Sequence, residues 1–111
     1  MIAVGASLPE FTFSRLVNGE MVNPHTNDLF NNKRVVMFAV PGAFTPTCSN
    51  AHLPGFVANA DKLKAKGIDE IICLSVNDAF VMDAWGKQHN ADGIIMLADG
   101  NGGFSQSIGL D

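Results

Sequence analysis

The hydrophobic and polar positions of this chain begin in a two-residue rhythm and then pass into continuous apolar runs separated by helical spacings. Residues 9–23 (PEFTFSRLVNGEMVN) alternate apolar and polar side chains around Asn18 and Gly19. Alternation interrupted by Asn-Gly predicts a β-hairpin, here a peripheral one. The following NPHTNDLFNNK carries turn residues and room for one short helical turn. Val35 to Val40 are six consecutive apolar residues, three of them valine, which predicts a strand buried on both faces. After PGAFTPT, the positions Leu53, Val57, Ala60 and Leu63 recur at helical spacing. They mark one face of an amphipathic helix ending near Gly67, with Pro54 either bending it or marking its effective start. EIICLSVND predicts a second buried strand. AFVMDAWGKQH predicts a second helix, capped by Asn77 or Asp78, with Phe80, Val81 and Trp85 in the core. GIIMLAD predicts a third strand, and GNGGFSQSIGLD a loop entering a short helix, with nothing in it to seal a sheet edge.

The parallel part of this order is βαβαβ, which implies an α/β fold: a mostly parallel sheet, right-handed crossovers and flanking helices. There are no repeats, low-complexity tracts or linkers, and 111 residues suit a single domain, 1–111. Three parallel strands and a hairpin are few for this architecture. The sequence therefore reads as a domain lacking its C-terminal part, or one leaning on a partner to cover an open edge.

Composition narrows the partners. With 47% hydrophobic residues there is material for a core, and a net charge of −4 with no basic cluster beyond Lys33-Arg34 disfavours nucleic acid and anionic lipid. No apolar stretch approaches the roughly 20 residues of a membrane span, and the first residues lack the pattern of a secretory signal. The expected location is cytoplasmic. Two cysteines, Cys48 and Cys73, are too few for a disulfide framework and are spaced for neither a Cys-X-X-Cys pair nor a zinc knuckle. A reducing compartment fits them.

Cys48 stands out by position. It follows the first buried strand by eight residues and enters the next helix, and ligands of open α/β sheets meet the carboxyl ends of the strands there. Unpaired amides and the helix dipole favour an anion at such a place, and a helix N-terminus can lower a thiol from its usual ~8.5 to roughly 3.5–7.5. The Thr45 hydroxyl is placed to hydrogen-bond the sulfur or an incoming oxygen, and Pro41 and Pro46 stiffen the loop. His52, four residues on, would share a helical face with Cys48. It reads as a solvated or hydrogen-bonded side chain, and two ligands make no metal site. Cys73 lies inside IICLSV and reads as core. ADGNGG reads as a turn rather than a calcium loop.

PGAFTPTC (residues 41–48) resembles the Pro-X-X-X-Thr-X-X-Cys signature of the peroxiredoxins. PGAFTPTCSNAHLPGF is similar in particular to the subfamily that contains the atypical two-cysteine peroxiredoxin and the bacterial peroxiredoxin-glutaredoxin hybrids. The resemblance extends through KAKGIDEIICLSVNDAFVMDAWGKQH and MLADGNGGF, covering this chain and about the first two-thirds of a usual member. It implies a thioredoxin-like (peroxiredoxin) fold and a thiol peroxidase acting on hydrogen peroxide and small organic hydroperoxides, with no metal or organic cofactor. Carried over residue by residue, Cys48 is the peroxidatic cysteine and Thr45 bonds both sulfur and peroxide. Pro41 shields the sulfur, and the amides of Thr47 and Cys48 hold the peroxide. The family's active-site arginine belongs to later strands, and no motif puts Arg15 or Arg34 in its place. With no evident resolving cysteine, the electrons are expected from glutathione or a glutaredoxin- or thioredoxin-type partner. Phe44 and Phe80 resemble dimer-contact positions by analogy, so a homodimer is plausible. The competing reading is a catalytically weak redox-sensing or assembly module on the same scaffold; a Cys-X-X-Cys electron carrier is not supported.

Overall fold

The central strand of the sheet is the most buried element of the molecule. In a computed structural model, which describes residues 3–40, 42–44, 53–91, 93–100 and 102–108, the elements are β1 (Arg15–Val17), β2 (Glu20–Val22), α1 (Thr26–Phe30), β3 (Val35–Val40), α2 (Leu53–Ala65), β4 (Glu70–Ser75), α3 (Ala79–Gln88), β5 (Ile95–Ala98) and α4 (Gly103–Ser107). The sheet order is β3-β4-β5, all parallel, and β1 and β2 form a separate antiparallel pair. Strands that follow one another in order and in space, joined by right-handed crossovers, put both crossover helices on one face. The packing agrees. Ile71 and Cys73 of β4 face Leu53 and Ala60 of α2 and Met82 and Trp85 of α3. Their neighbours Ile72 and Leu74 face the opposite way, onto Phe13, Leu29 and Phe104. That is the two-residue alternation of a strand, and it makes the apolar run of β4 continuous because both its faces are covered.

The expectation of double burial holds for β4 and fails for β3. In β3, Phe38 and Val40 are buried, Ala39 is exposed and Val35 to Met37 are half-buried. No strand lies on the other side of β3 among the described residues; it is an edge, and an edge strand shields its side chains less fully. Phe38 gains cover from Phe56 of α2, whose ring stacks on it at 3.9 Å between centroids.

The hairpin forms where the alternation places it. Asn18 and Gly19 have φ of 53° and 84°, the two positive values its tight turn requires. Its ladder is regular from Arg15 opposite Val22 to Val17 opposite Glu20, and an isolated bridge joins Thr12 to His25 in the same register. Pro24 lies between, and without an N–H it breaks the ladder. The root of this hairpin is not peripheral. Phe13 is buried against Phe104 with ring centroids 4.8 Å apart, and Ser14 exchanges backbone hydrogen bonds with Ala98 of β5 at 2.9 and 3.3 Å.

Caps end the helices where the sequence suggests. Gly67 at φ 96° closes α2: the amides of Gly67 and Ile68 donate to the carbonyls of Lys64 and Leu63, the pattern of a helix closed by a left-handed residue. Asp78, not Asn77, caps α3, its carboxylate accepting from the Val81 amide at 2.8 Å. On α3 Trp85 is fully buried, Val81 is half-buried and Phe80 is 64% exposed. Phe80 stands five residues from Trp85, about 140° around the helix from it, so the two cannot share the core face. The closing segment contributes more than a loop and a short helix. Asp99 accepts hydrogen bonds from the amides of Phe104 and Ser105 and from the Ser105 hydroxyl, and this holds α4 so that Phe104 fills the second core.

Candidate functional site

At the carboxyl end of the sheet the chemistry of the side chains changes from apolar to hydrogen-bonding. β4 leaves the core at Ser75, which is buried and whose hydroxyl donates to Asn77 Oδ1 at 2.7 Å. The same oxygen accepts from the Ala43 amide at 3.0 Å. Two donors converging on one atom fix which end of the Asn77 amide faces inward, because only the oxygen accepts. Asp78 then starts α3, and the Asp99 amide donates to the Ser75 carbonyl at 2.9 Å. The exits of β4 and β5 and the chain leaving β3 are thus tied together by short directional bonds.

Ala43 belongs to the connection that leaves β3 after Val40 and reaches α2 at Leu53. Both Val40 and Leu53 are buried, so the two ends of this connection are anchored in the core. Phe44, next after Ala43, has φ of 62°, a left-handed conformation that costs a residue with a Cβ about 1–2 kcal/mol. Its ring is half exposed and lies 6.5 Å from that of Trp85. The residues singled out by the signature, Pro41, Thr45, Thr47 and Cys48, and with them His52, lie outside the described residues. Along the chain, Thr45 directly follows Phe44, and Cys48 comes five residues after Ala43.

Cys73 is fully buried in β4, opposite Phe38 on one side and Met96 on the other, as its apolar context predicts. Neither arginine stands at the carboxyl ends of the strands. Arg34 precedes β3 at the opposite end, where its amide donates to the Asp69 carboxylate at 2.7 Å. Arg15 lines a cavity of about 270 Å³ between β1 and α3, together with Asp83 and Lys87. Among the described residues no group of three His, Cys, Asp or Glu side chains converges to hold a metal ion, and no helix is long and apolar enough to cross a membrane.

The tether from Asn77 to Ala43 was not visible in the sequence. Asn77 and Asp78 are both good helix caps, and nothing local distinguishes the one that caps from the one that reaches a loop 34 residues away.

Compared with known proteins, the chain matches the Redoxin family over residues 3–111. It is 49% identical to the chloroplastic Peroxiredoxin-2E of Arabidopsis thaliana over 99% of its own length and 48% of that protein's. It is 42% identical to the hybrid peroxiredoxin hyPrx5 of Haemophilus influenzae over 96% of its length and 44% of that protein's. The chain thus spans about half the length of these curated relatives. Among solved structures it superposes on reduced Prx3 of Vibrio vulnificus, in complex with hydrogen peroxide, with a TM-score of 0.96 and 57% identity, covering 99% of this chain and 70% of that one.

Proposed function

The chain belongs to the redoxin family and within it to the peroxiredoxins, with their thioredoxin-like α/β fold, and on that premise we propose that it is a thiol-dependent peroxidase whose nucleophile is Cys48. The observation that carries this reading is the Pro-X-X-X-Thr-X-X-Cys signature at residues 41–48, set in the connection from β3 to α2. In the proposed reaction the Cys48 thiolate attacks the terminal oxygen of a hydroperoxide. A sulfur–oxygen bond forms as the oxygen–oxygen bond breaks, and the departing alkoxide or hydroxide takes a proton to leave as alcohol or water. Cysteine is oxidised to sulfenic acid and the peroxide reduced.

Thr45 and the amides of Thr47 and Cys48 are the proposed donors to sulfur and peroxide oxygen, stabilising charge as it moves to the leaving oxygen. Pro41 is the proposed shield against water. An external thiol then displaces hydroxide from the sulfenic acid to give a mixed disulfide, and a second thiol releases Cys48. Glutathione or a glutaredoxin- or thioredoxin-type protein in a reducing, cytoplasmic setting is the proposed donor. Cys73, buried in β4, is poorly placed to meet that intermediate. The pairing of this chain into a homodimer stays part of the proposal.

The test is the rate of hydrogen peroxide consumption with glutathione and glutaredoxin supplied. Loss of consumption in Cys48→Ser supports the reading, and its persistence overturns it. The placement of Arg15 beside α3 and of Arg34 before β3, both away from the carboxyl ends of the sheet strands, favours a second reading, a slow redox sensor or assembly module. That reading predicts sulfenic acid formation at Cys48 without sustained turnover.

A further inference from the structure

We propose that Asn77 is a positioning residue for Cys48: through one side-chain oxygen it fixes the loop that carries the thiol to the exit of β4. This inference rests on the peroxidase reading and adds to it a residue outside the signature. Asn77 Oδ1 accepts from the Ala43 amide at 3.0 Å and from the Ser75 hydroxyl at 2.7 Å. Ser75 is held in turn, being buried as the last residue of β4, with its carbonyl accepting from Asp99. The acceptor is therefore rigid, and the group it holds is the backbone of the connection itself.

The conformation of that backbone gives the tether something to do. Phe44 sits at φ 62° directly after Ala43, and an unfavourable backbone angle persists where its surroundings over-determine it. The amide before it is pinned by Asn77, and the ring after it packs toward Trp85. Thr45 comes next, and Cys48 three residues later. Freed of the bond at Ala43, the connection can relax toward ordinary angles at Phe44, one residue before Thr45 and four before Cys48, and small misplacements of reacting groups are costly. α3 does not depend on Asn77, because its cap is Asp78.

The experiment compares the full chain with Asn77→Ala, which loses the acceptor, and Asn77→Asp, which keeps an oxygen at the same reach. Amide hydrogen exchange at Ala43 and the second-order rate of Cys48 with hydrogen peroxide are measured on each, with Ser75→Ala as a milder variant should Asn77→Ala fail to fold. In Asn77→Ala, Ala43 exchange is expected about tenfold faster and the Cys48 rate about tenfold lower. Asn77→Asp returns both to within about threefold, and Ser75→Ala falls between. Unchanged exchange, faster exchange with an unchanged rate, or failure of Asn77→Asp to restore either quantity overturns the proposal. If the wild-type chain does not react with peroxide, the peroxidase reading fails on its own. The tether is then judged by Ala43 exchange and by alkylation of Cys48 with iodoacetamide, on the same criteria.

Discussion

The body of strand β4 and the four residues at its exit, Ser75 to Asp78, show two different ways of using buried space. From Ile71 to Leu74 every side chain is fully buried and apolar, divided between the helical face and the face covered by Phe13 and Phe104. From Ser75 to Asp78 the polar side chains each make a defined hydrogen bond: Ser75 to Asn77, Asn77 to Ala43, Asp78 to Val81. The first region gains its stability from area removed from water, which is nondirectional. The second contributes less to stability and sets where loops sit. A thiol inside the first region, Cys73, is packing. A thiol on a loop tied to the second, Cys48, is a candidate for chemistry.

The comparison can be broken at either end. Leu74→Ala removes a fully buried side chain from the face of β4 packed on Phe13, Leu29 and Phe104 and is expected to cost about 2–5 kcal/mol in denaturant unfolding. A loss below about 1 kcal/mol would contradict the full burial of this side chain in the core. Cys73→Ser places a hydroxyl between Phe38 and Met96 and is expected to cost roughly 1–3 kcal/mol. It should leave the peroxide reactivity of Cys48 within about twofold of wild type, as read by stopped-flow.

Smaller effects sharpen the boundary. Asp78→Ala removes the cap of α3, which typically costs ~1 kcal/mol, and thermal unfolding should report it. Lys87→Ala breaks the ion pair to Asp83 at 2.9 Å, where Lys87 is 72% exposed. It should change stability by about 0.5 kcal/mol or less, with the difference vanishing at high salt.

Much of this architecture was legible in the sequence, for reasons that differ by element. Asn18-Gly19 dictates its turn through backbone sterics alone, and the spacing from Leu53 to Leu63 carries the helix. The parallel order follows from alternation of strand and helix. The apolar run of β3 overstates its burial, because such a run reports what a strand can bury, not whether a neighbour covers it. Large apolar residues usually seek the core, which is why the sequence places Phe80 there, whereas the helical angle from Trp85 turns it outward. The bridge from Ser14 to Ala98 and the tether from Asn77 to Ala43 join residues far apart in sequence through single bonds, and such bonds leave no periodic trace. The signature around Cys48 was readable as a pattern, while the oxygen that holds its loop was not.

The central claim is that one sulfur, Cys48, is oxidised by peroxide while the other is spectator packing. Intact and peptide mass spectrometry after one equivalent of hydrogen peroxide, with a sulfenic-acid trap present, tests it most directly. The account predicts a single trap adduct confined to the peptide bearing Cys48. An adduct on the peptide bearing Cys73, or no adduct on either, would contradict it.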